Sequence, residues 1–328
     1  MIFNQEAVDP APCRLCGATT FQFCLNAPDF DTGQASFTLC ECRSCGLVRI
    51  EPLLTEAELS RFYPSVYYGA GQEKFVGPIE RLTRWLARQQ AHRLLQSLNE
   101  GRQPVGPIRI LDIGCGRGSL LRAFAQMGGE CHGVERADFP DIEPDAGFVL
   151  HRQPLADLAF PDGHFDIVVL WHVLEHLADP GTVLTEIHRL LRPGGLLACA
   201  VPNFSSWQRR WFGPDWFHLD LPRHVHHFEL PTLRHGLEER GFQIVKVETR
   251  ALDQNLFGFV QSALNRLRRS RPNRLYALLR RPEGFSLDSE LAGWLLAAGI
   301  LSPLAGIEYM LSGLTNQGAT VVMQARRC

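Results

Sequence analysis

The strongest constraint on this chain is the way its apolar runs alternate in length from Ile108 onward. Ile108-Arg109-Ile110-Leu111 has strand length and ends in Asp112 and a glycine turn, and Ser119 to Met127 has helical spacing. Cys131 to Glu135 and Phe148 to His151 read as strands, and Asp166 to Trp171 reads as a buried one. Thr182 to Leu191 is again helical and stops at Pro193-Gly194-Gly195; Leu196 to Val201 is the next strand. A helix beginning near Thr232 and a strand from Phe242 to Glu248 complete the series. Strands and helices alternating at this spacing predict an α/β fold: a Rossmann-like, doubly wound sheet with helices on both faces.

The first strand meets its helix in Leu111-Asp112-Ile113-Gly114-Cys115-Gly116-Arg117-Gly118. Gly114 and Gly116 let a ligand approach the backbone, and Gly118 lets the helix sit close to the sheet. The spacing is Gly-x-Gly-x-Gly, whereas the dinucleotide fingerprint is Gly-x-Gly-x-x-Gly, which disfavours an NAD-dependent dehydrogenase. Asp112 would repel a pyrophosphate and attract an ammonium group. Glu135, closing the second strand, is placed to accept hydrogen bonds from ribose hydroxyls. The ligand indicated is a nucleoside carrying an amino acid.

These segments, with Gly133-Val134-Glu135, Phe160-Pro161-Asp162-Gly163-His164-Phe165-Asp166, His172-Val-Leu-Glu-His176 and Leu191-Arg-Pro-Gly-Gly195, resemble class I S-adenosylmethionine-dependent methyltransferases, in order over roughly residues 108 to 250. The resemblance implies that Asp112 and Gly114 hold the methionine end of the cofactor, Glu135 the ribose and the segment near Leu155 the adenine. Cys115, Gly116, Gly118 and Trp171 complete the implied cofactor set. Pro154 stands where the family often carries an acid, and Asp157 is the nearest carboxylate. The cysteine motifs, Asp215 to Phe228 and the C-terminal pattern resemble bacterial members of sugar and cell-envelope biosynthesis.

Cys13-Arg-Leu-Cys16-Gly17 and Cys42-Arg-Ser-Cys45-Gly46 are two copies of Cys-x-x-Cys-Gly. Each lets two thiolates of one tight turn reach a single ion, and together they supply four soft ligands with no open position: a structural zinc ribbon. Cys24 and Cys40 are left over. The segment Met1 to Pro12 carries Glu6 and Asp9 and no apolar core, so no secretory signal is expected and the ten cysteines point to metal or burial before disulfides.

Methyl transfer to a hydroxyl calls for a base near neutral pKa. His172 and His176 follow the fourth strand at the carboxyl edge of the sheet. His218, Asp220, His224, His226 and His227 follow the fifth, in a loop near Trp207, Trp211 and Trp216. His172, His176 and His224 are the catalytic candidates; the bland alternative is that some of them only bond core carbonyls, the role assigned to His188 and His227. His172 to His176 also matches the metalloprotease pattern His-x-x-Glu-His, but the strand before it belongs to another fold. Trp216 and Phe217 are candidate walls of an acceptor pocket.

The domain organisation expected is a ribbon over 1–50, a helical connector over 51–100, the core over 101–250, an insertion over 251–318 and the last core strand over 319–328. In the connector, Ile79, Leu82, Trp85, Leu86, Leu94, Leu95 and Leu98 recur at helical spacing behind Pro78, and Gly101 to Pro107 ends it. The insertion opens with Arg266, Arg268, Arg269, Arg271, Arg274, Arg280 and Arg281, and Leu291 to Leu311 is nearly all apolar. Its length admits a transmembrane helix, but Ala319 to Met323 must rejoin the sheet, so a membrane-surface helical pair or a cap fits better; a dimer face is the competing role. A net charge of -2 gives no reason to expect nucleic acid as a partner. The function expected is methyl transfer to a small or lipid-linked acceptor, a sugar of an envelope glycan, in the cytoplasm or at the inner membrane surface. A noncatalytic cofactor-binding scaffold of the same fold is the alternative.

Overall fold

The computed structural model describes residues 11–31, 35–63, 77–99, 106–140, 147–280 and 289–328. Most of Met1 to Pro12, most of the Gly101 to Pro107 break, and Arg281 lie outside the described residues. The chain begins with β1 (Phe21–Pro28), β2 (Ser36–Cys42), β3 (Val48–Glu51), α1 (Glu56–Ser60) and α2 (Gly77–Asn99). The alternating unit follows: β4 (Arg109–Ile113), α3 (Ser119–Gln126), β5 (Glu130–Val134), β6 (Val149–His151), β7 (Phe165–Trp171), α4 (Pro180–Leu190) and β8 (Leu191–Pro202). Then come α5 (Trp207–Phe212), β9 (His226–His227), α6 (Leu230–Glu238), β10 (Phe242–Glu248), α7 (Leu252–Leu267), α8 (Arg274–Leu279), α9 (Ser289–Leu314) and β11 (Thr320–Arg327).

The large sheet runs β10-β11-β8-β7-β4-β5-β6. Its β4 to β8 pairs are parallel, and β11 lies antiparallel between β8 and β10. This is the doubly wound sheet expected, and its order reverses between β4 and β7, where such sheets open a ligand crevice at the strands' carboxyl ends. One boundary differs. The sequence reading stops a helix at Pro193-Gly194-Gly195 and starts the strand at Leu196, whereas β8 runs from Leu191, which pairs with Phe165 before the register shifts. Gly194 takes φ +75, and a Cβ on Gly195 would lie 2.8 Å from the Arg192 carbonyl oxygen, so the glycines absorb a bulge rather than end an element.

A second, antiparallel sheet has the order β1-β2-β3-β9. The cysteine-rich segment is therefore not a lobe apart. Its fourth strand comes from the histidine loop, and Cys13, Leu15, Cys42, Cys45 and Leu47 are buried in one core with Leu170, Leu184 and Leu233.

The α7–α9 segment is inserted between paired strands, with Val247 opposite Met323. A second core joins it to the loop after β8 through Phe259, Val260, Trp294, Phe212, Trp216 and Leu219. The buried stripe of α9 includes one charge, Glu308, whose Oε2 accepts from Gln208 Nε2 at 2.9 Å. Much of the rest of α9 is apolar and exposed; the helix is long and apolar enough to cross a membrane, and 17% of its most apolar stretch is buried. The run of arginines is less free than the sequence suggests. Arg269 pairs with Asp215, and Arg271 and Arg274 pair with Glu290. In α2 the helical spacing serves two surfaces: Leu94 and Leu98 are buried on the sheet, while Leu82 and Trp85 are exposed.

Candidate active site

A cavity of about 1610 Å³ lies over the β4/β7 reversal. It is lined by Ile113, Gly114 and Glu135, by Leu155, Trp171, His172, His176 and His224, and by Leu86, Phe257, Val260 and Ala298. The turn after β4 has positive φ at Gly114, Gly116 and Gly118 (69°, 54° and 71°), a region that favours glycine. A Cβ on Gly118 would meet the Phe148 ring at 2.3 Å, while nothing lies within 4 Å of one on Gly116. Gly118 is thus needed for packing and Gly116 for an open backbone. Cys115 turns its thiol onto β5, 2.6 Å from where a Gly133 Cβ would be, and its N–H donates to the Val134 carbonyl. The side chain of Cys115 therefore packs rather than facing the cavity.

Glu135 fastens this turn. Its Oε2 accepts from the Gly116 N–H at 2.8 Å and its Oε1 from the Arg136 N–H at 2.9 Å, and burial raises its pKa. Asp112 is 4% exposed and does not line the cavity, though its neighbours Ile113 and Gly114 do. Burial, with Glu135 beside it, pushes its carboxyl up to about 8. Leu155 opens a single 3-10 turn beside Pro154 on the cavity wall, whereas Asp157 is exposed and off it.

The structure brings the three catalytic candidates together. The rings of His176 and His224 meet edge to face with centroids 4.6 Å apart. His176 Nδ1 lies 3.0 Å from the Arg223 carbonyl oxygen and 3.1 Å from the Tyr63 hydroxyl. His224 Nδ1 lies 2.9 Å from the His218 carbonyl oxygen. A ring that donates from Nδ1 to a carbonyl keeps a lone pair at Nε2, the form a base requires. Burial and the neighbouring His176 hold His224 well below the ordinary histidine range. His172 Nδ1 is 3.3 Å from Glu175 Oε1, while its buried Nε2 has no partner in the described residues.

His172 and Asp220 both line the cavity and both adopt positive φ, 55° and 39°, a cost tolerated chiefly at functional sites. Glu175, His176 and His224 each offer one atom within 4.8 Å of the others, a group able to meet one cation. His172 to His176 lie on a loop and a 3-10 turn rather than a helix, which removes the protease reading. His227 is buried and pushed down to about 3 by that burial, and His188 stacks edge-on against Phe242. His227 lies in the core with its Nε2 unpartnered among the described residues, whereas His188 is half-buried. Phe217 lines the cavity, while Trp216 is buried behind it.

Two contributors carry no motif. Tyr63 is one. Arg223 is the other: 1% exposed, it donates to Asp220 and, at 2.6 Å, to Asp31. Its only sequence signal is a charged position inside an aromatic run.

The four cysteines also converge. Cys13 and Cys45 sulfurs are 3.6 Å apart, as are Cys16 and Cys42, and all four lie within 4.8 Å of one another. A tetrahedron of 2.3 Å metal–sulfur bonds has edges of about 3.8 Å. Gly17 and Gly46 take matching positive φ (78° and 76°) and donate to Cys13 O and Cys42 O. The set fits one zinc-sized ion.

A doubly wound sheet with this glycine turn, an acid closing the second parallel strand and a cavity at the strand-order reversal is the arrangement of a methyltransferase domain. Residues 81–247 match the methyltransferase domain family, and the chain belongs to that family. The ubiquinone biosynthesis O-methyltransferase of Maricaulis maris is 32% identical over 161 residues, 44% of this chain and 62% of that one. The protein of the same name from Cereibacter sphaeroides is 36% identical over 132 residues, 38% of this chain and 53% of that one. The chain thus spans little more than half the length of these relatives. Among solved structures, the 1,6-didemethyltoxoflavin-N1-methyltransferase of Burkholderia thailandensis, bound to 1,6-didemethyltoxoflavin and S-adenosylhomocysteine, shows a distant likeness. It aligns over 89% of this chain and 95% of that one at 17% identity and a TM-score of 0.45.

Proposed function

We propose that the protein methylates a hydroxyl of an acceptor that carries an apolar tail, and does so at a membrane surface. The observation that carries this reading is the lining of one cavity: Gly114 and Glu135, His176 and His224, and apolar residues of α2, α7, α8 and α9 all line it. S-adenosylmethionine supplies an electrophilic methyl group. The protein would align that methyl with the acceptor oxygen, S-adenosylhomocysteine would leave, and a histidine Nε2 would take the hydroxyl proton. His176 is assigned that role and His224 supports it. Asp112, Gly114, Glu135, Leu155 and Trp171 hold the cofactor. The relatives' name, O-methyltransferase, supports oxygen as the target. A lipid-linked envelope sugar remains the acceptor the sequence indicates, with an acceptor of the kind the relatives' name prints, from ubiquinone biosynthesis, the competing candidate. Zinc at Cys13, Cys16, Cys42 and Cys45 is proposed as a structural ion.

The exposed face of α9, with Leu296, Ile300, Leu304, Ile307, Met310 and Leu314 all more than half exposed, supports seating on a lipid surface, since monomers rarely leave so long an apolar stripe bare. The test is transfer of isotopically labelled methyl from S-adenosylmethionine to a lipid extract and to a water-soluble extract of the source cells. Label should enter an organic-phase product. Label confined to water-soluble products would end the tailed-acceptor reading, and tight cofactor binding with no labelled product would favour the noncatalytic scaffold.

A further inference from the structure

Both histidine-bearing segments of the cavity are fastened to the cysteine-rich sheet. We propose that this sheet, holding its metal ion, is a positioning element that sets the rings of His176 and His224 while contributing none of its cysteines to the cavity. None of the four cysteines, nor Arg49 or Asp31, lines it.

The His224 side has two fastenings. Strand β3 pairs with β9, Val48 opposite His227 and Arg49 opposite His226, and the Ile50 N–H donates to the Val225 carbonyl at 3.1 Å. Beyond β1, the Phe30 N–H donates to the Leu221 carbonyl at 2.8 Å, and Asp31 accepts from Arg223. These contacts bracket His224 from both directions along the chain. The His176 side is fastened through the first cysteine turn. There the Gly181 N–H at the start of α4 donates to the Arg14 carbonyl at 3.2 Å, and Arg240 Nη2 donates to the Leu15 carbonyl at 3.0 Å. A Cβ on Gly181 would lie 2.4 Å from that Arg14 oxygen, so the two backbones are in direct contact. Finally, His226 Nδ1 lies 3.0 Å from the Leu177 carbonyl and ties one segment to the other.

The physical logic is that of a short sheet with too little core of its own. Cys42 ends β2 and Cys45 lies in the turn before β3, so ligation fixes where β3 emerges, and β3 fixes β9. Metal binding in such a module is folding free energy. Without the ion the β2–β3 turn loses its anchor, and the register that brackets His224 loosens before the large sheet does.

The proposal rests on His176 and His224 being the acceptor-side histidines, so its test reads their positions and not turnover. Hydrogen exchange is followed on the full chain as purified and after metal withdrawal by a chelator, with S-adenosylhomocysteine binding measured by calorimetry. Protection at Val48 to Ile50 and at Val225 to His227 should fall together by at least about tenfold. Protection in β4 and β7 and the affinity for S-adenosylhomocysteine should hold within about twofold. Asp31→Asn, which leaves the metal in place, should shift the ring signals of His224 and His176 in a carbon-13 histidine spectrum, and Asp31→Glu should restore them. Three results would overturn the proposal: exchange that rises in the ribbon but not at 225–227, loss of protection throughout together with loss of S-adenosylhomocysteine binding, or purified protein that holds no metal and ignores the chelator. Unmoved histidine signals in Asp31→Asn would overturn the Asp31–Arg223 link.

Discussion

At His176 the backbone decides which ring nitrogen is free for chemistry. The Arg223 carbonyl at Nδ1 selects the tautomer whose Nε2 can accept a proton, and the Tyr63 hydroxyl restrains the ring further. His176→Ala is expected to lower turnover by about 10²-fold or more with S-adenosylhomocysteine affinity unchanged by calorimetry; an unchanged rate would move the role to His224. Asp112 allows a test through pH. Its carboxyl is pushed up to about 8 in the unliganded fold, above the roughly 3.9 of an unfolded chain, so the fold favours the protonated form. The stability this group contributes is therefore complete below about pH 4 and lost as pH rises through about 8. Asp112→Asn should raise the melting temperature of the unliganded protein more at pH 9 than at pH 5, by about 2–4 °C for each kcal/mol recovered. The same variant should weaken binding of S-adenosylmethionine, because the cofactor's ammonium loses its counter-charge. Equal melting shifts at both pH values would mean that Asp112 is not held protonated by its surroundings.

Among the elements, α9 makes the most specific demand on a partner. Leu291, Trp294, Ala305, Glu308 and Ser312 form its buried stripe, and Leu296 and Ile300, each 69% exposed, stand on the opposite side. Leu296→Glu with Ile300→Glu should cut sedimentation with anionic vesicles at least about tenfold, since each charge would lose its hydration at the apolar boundary. The melting temperature should barely move, because neither side chain is buried. Vesicle binding that survives both charges would leave α9 a dimer face or a cap. How far sequence reveals an element depends on whether its determinants are local. The strand–helix alternation, the glycine turn and the paired cysteine motifs are short-range patterns, and apart from the start of β8 each is where the spacing puts it. Strand β9 was hidden because two residues, His226 and His227, have no period of their own and become a strand only against Val48 and Arg49. Tyr63 and His176 are far apart in sequence, as are Asp31 and Arg223, and no window of residues reports such a contact. The arginine run misled for the same reason: Asp215 and Glu290, which pair three of its members, lie outside the run.

For the whole molecule the decisive fact is that the insertion and the histidine loop share a core. From sequence, Gln254 to Asn316 looks removable, because β10 and β11 could close as a hairpin behind it. The structure instead packs Phe259, Val260 and Leu264 of α7 against Phe204, Phe212, Trp216 and Leu219. It also seats Gln208, fully buried, between the Asn255 carbonyl and Glu308. Excision would bare that apolar surface and remove both partners of the Gln208 amide, at about 1.5–3 kcal/mol for each large side chain returned to water. Those losses rival the whole stability of a typical domain. Replacing Gln254 to Asn316 by a short linker should therefore give a protein that melts well below the full chain and binds S-adenosylhomocysteine more weakly, since residues of α7, α8 and α9 line the same cavity as Gly114 and Glu135. The doubly charged α9 variant is the control, expected to keep both melting temperature and cofactor affinity while losing vesicle binding. Melting scans and calorimetry on the two proteins separate a structural wall from an accessory patch. If the excised protein melts and binds like the full chain, the second core is not shared, and the insertion is an appendage that the fold carries without needing.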